Sequence, residues 1–297
     1  MSMDRSSRRS WCDMLPAGRS FVKMHGLRNH FIIVDERADA GEPWHPDKDE
    51  IVRLCDPQTG VGADQIVVVE KPSAEGAGKG VAAFLRFWNR DGREVGACGN
   101  ATRCVAWLLL EERGCGEILL ETRVGVLQCR REGPRTVSTG MGRISTDWRD
   151  IPLAEKRNTC HLDLQYGPLA DPVALSIGNP HLVFFVERLN DIDLETLAPP
   201  IQNDPLFPEQ VNVGVAEMIS ESRMRLKVYE RGAGMTMACG SGACVAAFAA
   251  LMRGLTESRH MTVDLPGGSL GIEILDDGSA VMTGPVEFCF SGLLPKI

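Results

Sequence analysis

The chain has 297 residues, of which 43% are hydrophobic and 24% are charged, and its formal net charge at pH 7 is −8. This length allows one large domain or two of ordinary size, and the composition is that of a globular protein. The negative charge excludes a broad basic face for nucleic acid. No apolar stretch reaches the roughly 18–20 residues that span a membrane, so we expect neither nucleic acid nor membrane as a partner.

The N-terminal segment MSMDRSSRRSWCDMLPAGRS is rich in Arg and Ser and contains no apolar core. A secretory signal needs such a core, so we expect residues 1–19 to form a disordered tail. An organelle presequence is the less favoured alternative. The ten cysteines of the chain are not spaced like those of a small disulfide scaffold. We therefore expect a cytoplasmic protein whose cysteines are mostly reduced.

Seven short segments are predicted strands, because they are β-branched or alternate in polarity and are bounded by Gly, Pro or Asp. In chain order they are Phe31–Val34, Ile66–Val69, Ala83–Phe87, Glu117–Thr122, Leu182–Val186, Arg223–Val228 and Met261–Asp264. Two helices are predicted to begin directly after Cys98-Gly99 and after Cys239-Gly240. Each is apolar almost all round, which indicates a buried helix, and each ends in Arg-Gly, where Gly suits a left-handed C-cap.

Three pairs of similar segments occur in the same order in the two halves of the chain. They are MHGLRNHFIIVD with SIGNPHLVFFVE, CGNATRCVAWLLLEERG with CGSGACVAAFAALMRG, and VGVLQCRREGPRTVSTG with GGSLGIEILDDGSAVMTG. A duplicated domain explains this order better than chance does. We therefore predict an α+β fold of two pseudo-symmetric domains, each a mainly antiparallel β-sheet or barrel wrapped round a buried central helix. The first predicted domain is 20–142 plus 286–297, and the second is 143–285.

A Cys-Gly pair stands at the start of each predicted buried helix, in EVGACGNATRC and in TMACGSGACVA. The start of a helix exposes unpaired backbone N–H groups and the positive end of the helix dipole. These groups should lower the pKa of a thiol placed there toward neutrality, and they bind a carboxylate without any side chain. Two such elements related by pseudo-twofold symmetry would place Cys98 and Cys239 on opposite sides of one cleft between the domains.

Two facing thiols suit the inversion of a carbon centre that carries a proton. One group removes the proton from one face, and another returns a proton to the opposite face. The reverse reaction exchanges the two roles, so the groups should be chemically alike, and a thiolate with a thiol meets this requirement. The helix N–H groups would stabilise the negative charge that develops on an amino-acid substrate. The sequence therefore predicts an amino-acid racemase or epimerase that uses no cofactor and no metal.

Other roles for these cysteines are a buried core position and a zinc site. Cys104 and Cys244 lie deeper in the predicted helices, and we expect them to be core residues. A zinc site would combine these two with Cys98 and Cys239. The first pair of such a site, Cys98 and Cys104, has C-x₅-C spacing, whereas structural zinc sites favour shorter C-x₂₋₄-C loops. A zinc-binding or scaffold protein is the non-enzymatic alternative, and stoichiometric bound zinc would identify it.

The chain resembles the diaminopimelate epimerase family from Phe21 to its C-terminus. The resemblance rests on NRDGREVGACGN-x-x-RC, GNPH and ERGAG-x-T-x-ACGSGAC, which stand in the family's order. It implies a cofactor-independent epimerase that interconverts L,L- and meso-2,6-diaminopimelate, in lysine and peptidoglycan-precursor synthesis. The alternative is a proline or hydroxyproline racemase, which also uses two opposed cysteines but commonly has His where this chain has Asn100. Phenazine-biosynthesis isomerases share the architecture and lack the cysteine pair.

The resemblance also implies roles for individual residues. Cys98 would deprotonate the L,L-isomer, and Cys239 would deprotonate the meso-isomer. The reacting carboxylate would be held by the backbone N–H groups of Gly99, Asn100, Gly240 and Ser241. The distal carboxylate would be held by Asn89, Asn179, Asn212 and Arg231. The other polar residues of the pocket would be Asn29, Gln65, Glu230 and His181. Of these, Glu230 would accept the substrate ammonium group, and His181 would either order the site or handle a proton.

The chain departs from the family at three places. The family commonly has Gly-Asn-Asp where this chain has Arg28-Asn29-His30, Gly where it has Ala101, and Glu where it has Met235. Each departure lies beside a retained functional position, so it bears on loop shape and substrate affinity rather than on the type of reaction. Diaminopimelate is the expected small-molecule partner, and a homodimer is one oligomeric state that the chain could adopt.

Overall fold

The computed structural model describes residues 18–38 and 43–295. Its helices are α1 (Lys48–Cys55), α2 (Ala74–Gly78), α3 (Gly99–Arg113), α4 (Leu194–Gln202) and α5 (Gly240–Met252). The strands of the first half are β1 (Gly18–Gly26), β2 (Asn29–Asp35), β3 (Gln65–Glu70), β4 (Ala83–Asn89), β5 (Glu94–Val95), β6 (Glu117–Thr122), β7 (Gly125–Gly133) and β8 (Thr136–Arg143).

The strands of the second half begin with the short pair β9 (Gln165–Tyr166) and β10 (Leu169–Ala170). The others are β11 (Val173–Ser176), β12 (Pro180–Phe185), β13 (Asn212–Ser220), β14 (Arg223–Glu230), β15 (Gly234–Met235), β16 (His260–Leu265), β17 (Gly268–Ile274), β18 (Ser279–Pro285) and β19 (Glu287–Pro295). Of the predicted N-terminal tail 1–19, residues 1–17 lie outside the described residues. Gly18 and Arg19 already belong to β1 and pair with β19, so the prediction of a tail is wrong for these two.

The strands of the two halves pair in the same order. In the first half β1–β2 is antiparallel, β2–β3 parallel, β3–β4 antiparallel and β4–β6 parallel, and β6, β7 and β8 follow in antiparallel pairs. The second half repeats this pattern with β11–β12, β12–β13, β13–β14, β14–β16, and then β16, β17 and β18. Because β8 pairs with β18, one 17-stranded sheet runs through both halves of the described chain.

The mainly β arrangement with few helices confirms the predicted α+β class. The similar segments of the sequence fall on equivalent elements: β1–β2 and β11–β12, α3 and α5, β7–β8 and β17–β18. The seven predicted strands all lie within observed ones, except that Val186 follows the end of β12. The domain boundaries, 20–142 with 286–297 and 143–285, remain a prediction.

Each of the helices α3 and α5 is buried among the strands of its own half. Cys104 of α3 and Cys244 of α5 are 0% exposed, as predicted for core residues. The glycines that follow the helices have left-handed backbones, with φ of 61° at Gly114 and 65° at Gly254, so both helices stop where the sequence indicates. No helix among the described residues is both long enough and apolar enough to cross a membrane.

The turn between β1 and β2 crosses from the first half into the second. Leu27 and Arg28 have φ of 57° and 63°, a left-handed conformation that disfavours residues other than Gly. Leu27 is buried in the hydrophobic cluster that surrounds α5, and it packs against Gly267 and Gly268 at the start of β17. This turn therefore carries strain at two residues, and it brings Asn29, the first residue of β2, next to the second half.

Candidate active site

The two Cys-Gly pairs occupy equivalent positions at the starts of α3 and α5. Cys98 and Cys239 are the N-cap residues, and both have extended backbones, with φ/ψ of −147°/110° and −117°/105°. The Cys239 sulfur accepts a hydrogen bond from the Gly242 N–H at 3.4 Å and lies 3.5 Å from the Ser241 hydroxyl. Cys239 is buried and Cys98 is half-buried. Each thiol therefore lies at the N-terminus of a buried helix, as its sequence context predicts.

The carboxylate of Glu230, at the end of β14, lies close to both thiols. Burial raises the pKa of Cys98 and of Cys239, and the negative charge of Glu230 raises both further. The hydroxyl of Thr236 donates to Oε1 of Glu230 at 2.6 Å and holds this carboxylate in place. The carboxylate of Glu230, in the second half, therefore acts electrostatically on a cysteine from each half.

Met282 of β18 lies between the two helix starts. A Cβ atom built on Gly99 would lie 2.7 Å from Cε of Met282, and one built on Gly240 would lie 2.7 Å from its Sδ. The absence of a side chain at Gly99 and Gly240 therefore leaves room for Met282 between the starts of α3 and α5. The first-turn N–H groups of the two helices, which lack acceptors within the helix, are brought to one region of the molecule.

The sequence predicts a lowered thiol pKa at the helix starts, and the structure shows the opposite direction. Burial raises the pKa of Cys98 to about 11, although the backbone N–H groups of Ala101 and Asn100 act to lower it. Burial, with the charge of Glu230, also raises the pKa of Cys239 well above its ordinary value. The prediction is wrong because desolvation of a thiolate outweighs the stabilisation that the helix N–H groups provide. Both thiols are protonated at neutral pH.

His181 of β12 lies at the centre of a small polar cluster beside α5. Its Nε2 is 3.1 Å from the hydroxyl of Ser241, 3.2 Å from Oδ1 of Asn179 and 3.4 Å from Nδ2 of Asn212. Burial, with a smaller contribution from the charge of Arg231, lowers the pKa of His181 to about 3. The ring is therefore neutral, and its contacts favour the ordering role over the proton-handling one.

Asn212, the first residue of β13, connects this cluster to Arg231. Its Nδ2 donates to the carbonyl oxygen of Pro180 at 2.9 Å, and its Oδ1 accepts from the backbone N–H of Arg231 at 2.8 Å. The guanidinium of Arg231 is exposed and donates to the carbonyl oxygen of Glu209 at 2.8 Å. The side chain of Arg231 thus lies at the open side of the site, where it could reach a carboxylate at the far end of a long substrate.

The polar residues of the first half come from three neighbouring strands. Gln65 of β3 and Asn89 of β4 are directly paired, and Nε2 of Gln65 donates to Oδ1 of Asn89 at 2.7 Å. Asn29 of β2 donates from Nδ2 to Oδ2 of Asp64 at 3.1 Å. Oδ1 of Asn29 accepts from Nδ2 of Asn100 at 3.3 Å. The buried Oε1 of Gln65 has no hydrogen-bond partner within the described part of the chain, so it could accept a hydrogen bond from a ligand.

Among the residues that the structure describes, no group of three or more His, Cys, Asp or Glu side chains is placed to hold a metal ion. The cysteines considered for zinc, Cys98, Cys104, Cys239 and Cys244, therefore do not form a metal cluster. The nine cysteines of the described residues are free thiols.

Comparison with known proteins identifies the family. The family model of diaminopimelate epimerase matches residues 21–146 and 173–289, a range that includes both Cys-Gly pairs and the polar residues around them. The chain belongs to the diaminopimelate epimerase family. The diaminopimelate epimerase of Phenylobacterium zucineum is 47% identical over 94% of this chain and 98% of its own. That of Acidiphilium cryptum is 44% identical over 94% of this chain and 98% of its own.

Solved structures of more distant proteins share the fold of this family member. The hydroxyproline epimerase of Agrobacterium vitis, solved with bound trans-4-hydroxy-L-proline, superposes with a TM-score of 0.64 at 13% identity. The match covers 92% of this chain and 91% of that one. At this identity the likeness shows a common two-domain fold and does not extend to the substrate.

The three departures from the usual pattern of diaminopimelate epimerases lie in different surroundings. Ala101 is fully buried in the first turn of α3, whereas Met235 is 37% exposed on β15. Arg28 is exposed in the strained β1–β2 turn. Of the three, Arg28 has a clear physical consequence, because its left-handed conformation is one that the usual Gly adopts without strain.

Three residues of this diaminopimelate epimerase family site were not singled out in the sequence. Asp64 accepts a hydrogen bond from Asn29, and its charge adds to the effect of burial in raising the pKa of Glu230. Thr236 orients the carboxylate of Glu230. Arg103 of α3 is completely buried. Thr236 and Arg103 stand within the quoted motifs, so their positions were visible in the sequence, but their contacts depend on the tertiary fold.

Proposed function

We propose that this chain interconverts L,L- and meso-2,6-diaminopimelate by two-base proton transfer at one α-carbon, in lysine and peptidoglycan-precursor synthesis. The observation that carries the proposal is the arrangement of Cys98 and Cys239 at two equivalent helix starts, with the carboxylate of Glu230 close to both. Membership of the diaminopimelate epimerase family supports the choice of substrate.

Each end of the substrate would meet groups of complementary charge. The reacting carboxylate would bind the first-turn N–H groups of α3 and α5, those of Gly99, Asn100, Gly240 and Ser241. The distal carboxylate would bind Arg231, which can donate two parallel hydrogen bonds, together with the amides of Asn89, Asn179 and Asn212. An ammonium group would bind Glu230, and the unpartnered Oε1 of Gln65 offers a further acceptor.

The proton transfer uses one thiolate and one thiol. Starting from the L,L-isomer, the Cys98 thiolate removes the α-proton and becomes a thiol, while the electron pair of the C–H bond is delocalised into the carboxylate. The Cys239 thiol then gives its proton to the opposite face of the same carbon and becomes a thiolate. The product is the meso-isomer, and the enzyme is left in the mirror protonation state, which accepts the meso-isomer. The helix N–H groups stabilise the charge that develops on the reacting carboxylate.

Glu230 would couple substrate binding to thiol ionisation. Its negative charge helps to keep both thiols protonated. An ammonium group placed beside Glu230 would offset this charge and lower the pKa of both thiols. The reactive thiolate would therefore be favoured only when substrate occupies the site, which protects the cysteines from other electrophiles.

Location and assembly are proposed on separate grounds. We place the enzyme in the cytoplasm, because the mechanism needs both thiols reduced and that compartment keeps thiols reduced. A homodimer is supported by the strand β19, whose apolar side chains Phe288, Phe290 and Leu293 are 46%, 46% and 53% exposed. Light scattering coupled to size-exclusion chromatography would measure the mass, and a monomer at micromolar concentration would contradict the homodimer.

The activity is tested by incubating the purified chain with L,L-diaminopimelate and separating the stereoisomers by chromatography. We expect an equilibrium mixture with the meso-isomer, and the same rate after exhaustive chelation and after treatment with carbonyl reagents. Alkylation of thiols should abolish the reaction. L-Proline and trans-4-hydroxy-L-proline serve as control substrates. Racemisation of either of these without conversion of diaminopimelate would contradict the proposed substrate, and a requirement for metal would contradict the mechanism.

A further inference from the structure

Arg103 carries a charged group that is buried without a counter-ion. It lies on α3, and its side chain is 0% exposed. Its Nη1 donates to Oδ1 of Asn100 at 2.9 Å and lies 3.3 Å from the sulfur of Met282. Its Nε and Nη2 have no hydrogen-bond partner in the described ranges 18–38 and 43–295, and no carboxylate there forms an ion pair with it. Burial lowers the pKa of this guanidinium, but arginine is so strong a base that it keeps its charge. An uncompensated buried cation is strongly unfavourable unless it serves another group.

The surroundings of Arg103 are adapted to its planar head group. A Cβ atom on Gly26 of β1 would lie 3.0 Å from its Nη2, and one on Gly284 of β18 would lie 3.1 Å from its Cζ. Larger residues at either position would press on the guanidinium. Two strands from different halves of the chain therefore leave space for this cation beside the two helix starts, where the helix dipoles are also positive.

Asn100 connects the guanidinium to the catalytic region. Arg103 binds Oδ1 of this side chain, and the orientation that results directs Nδ2 toward the carbonyl oxygen of Ala238 and Oδ1 of Asn29, each at 3.3 Å. Ala238 directly precedes Cys239. The chain of contacts from Arg103 through Asn100 to Ala238 thus joins the first cysteine helix to the turn that carries the second cysteine.

We propose that Arg103 is a positioning residue, which fixes Asn100 between the two Cys-Gly turns and supplies a buried positive charge that favours the Cys98 thiolate and the reacting carboxylate. The inference rests on the proposed epimerase function for the carboxylate, but its effect on Cys98 does not need a substrate. The charged and titratable groups around Cys98 include Glu230 on β14, and Arg103 and Cys104 on its own helix. Those around Arg103 are Cys98, Cys104, Cys129 and Cys244.

The effect of the charge should be one-sided. Arg103 stands on the same helix as Cys98 and acts against the larger effect of burial to lower the pKa of Cys98. It contacts the turn of Cys239 only through Asn100. Removing the charge should therefore change the titration of one catalytic thiol and leave the other unchanged. A purely structural role would change both or neither, because a disturbed fold exposes both helix starts.

The test compares Arg103→Met, which removes the charge at similar length, with Arg103→Lys, which keeps the charge and loses the planar fork. Arg113→Met, at the exposed end of the same helix, is the matched control. The rate of alkylation by iodoacetamide is measured against pH for the Cys98 and Cys239 peptides by mass spectrometry, without substrate. For Arg103→Met we expect the Cys98 inflection to move upward by about one pH unit while that of Cys239 stays in place. Arg103→Lys should keep the Cys98 inflection but lower kcat about tenfold, because Asn100 is no longer held in place.

Equal shifts at both cysteines, or none, in folded Arg103→Met would overturn the inference. If that variant does not fold by circular dichroism, Arg103→Lys decides alone, and a wild-type kcat in Arg103→Lys would overturn the positioning role. The KM for diaminopimelate should rise in Arg103→Met and stay at the wild-type value in Arg113→Met. If the proposed function is wrong, the wild-type enzyme will be inactive toward diaminopimelate. The alkylation result can still be interpreted in that case, because it is measured without substrate.

Discussion

Replacing Glu230 by Gln should make both catalytic thiols more reactive and the enzyme less active. Burial is the largest cause of the raised thiol pKa values, and the charge of Glu230 raises both further. Cys239 should respond more strongly than Cys98, because the charge of Glu230 is the largest influence on its pKa after burial. The substitution keeps the shape of the side chain and an oxygen that can accept from Thr236. It removes only the charge.

The magnitude follows from the proximity of the groups. A charge within about 4–6 Å shifts a pKa by about 1–3 units, so we expect a fall of about one unit for Cys98 and about two units for Cys239. These shifts correspond to about 1.4 and about 2.8 kcal/mol. The substrate ammonium group loses a charged hydrogen-bond acceptor at the same time. Such a bond contributes about 1.5–3 kcal/mol, so kcat/KM should fall about 10- to 150-fold.

The assay measures alkylation of the two cysteine peptides against pH and, separately, the conversion of L,L-diaminopimelate. Glu217→Gln on the neighbouring strand β13 is the control, since this half-buried carboxylate bonds to the backbone N–H of Leu189 and does not act on the thiols. Unchanged alkylation profiles in Glu230→Gln would refute the assignment of a shared carboxylate. Activity at the wild-type level would refute its role in binding the ammonium group.

Three further predictions concern pH, strain and oxidation. The pKa of His181 is lowered by burial from its ordinary 6.5 to about 3, so the unfolded chain binds a proton that the folded chain does not. The free energy of unfolding should therefore fall by about 2 kcal/mol between pH 6.5 and pH 5 because of this group. In His181→Asn, urea unfolding should no longer show this part of the pH dependence. An unchanged dependence between pH 5 and 7 in this variant would contradict the lowered pKa of His181. Arg28→Gly should raise the free energy of unfolding by about 0.5–1 kcal/mol. The reason is that it relieves about 1–2 kcal/mol of left-handed strain, which exceeds the extra conformational entropy that Gly loses on folding. A lower urea midpoint would argue against strain at this turn. Mild oxidation should inactivate the enzyme and yield a Cys98–Cys239 disulfide on peptide mapping, and inactive oxidised enzyme without this crosslink would contradict convergence of the two thiols.

Much of the fold was predictable because the duplicated halves carry their signals locally. The buried helices α3 and α5 are apolar almost all round and end in Arg-Gly. The seven predicted strands are β-branched or alternate in polarity, and they are bounded by Gly, Pro or Asp. Other elements were missed for different reasons. The start of α1 has a local signal, the capping box formed by Asp47 and Glu50, from which this helix was predictable. In the strand β19 the apolar residues Phe288 and Phe290 are each 46% exposed, so the apolar positions of the sequence do not mark a buried face of this strand.

The electrostatics of the site could not be predicted from the sequence. The position of Cys98 and Cys239 at helix starts predicts lowered thiol pKa values only where the thiols are partly hydrated, and burial removes that hydration. How far a thiol is desolvated depends on packing between segments that are distant in the chain. The same holds for Arg103: its position in the RC motif was visible, but nothing local indicates that the guanidinium has no counter-ion.

The central claim, proton transfer between two thiols on opposite faces of one carbon, is tested most directly in deuterated water. L,L-Diaminopimelate is incubated with the wild-type enzyme, and both isomers are isolated at low conversion for mass spectrometry. The account predicts one deuterium at a single α-carbon of the meso product, delivered by Cys239, and no label in the remaining L,L-isomer. Meso product that keeps the original proton, or label at both α-carbons, would contradict it.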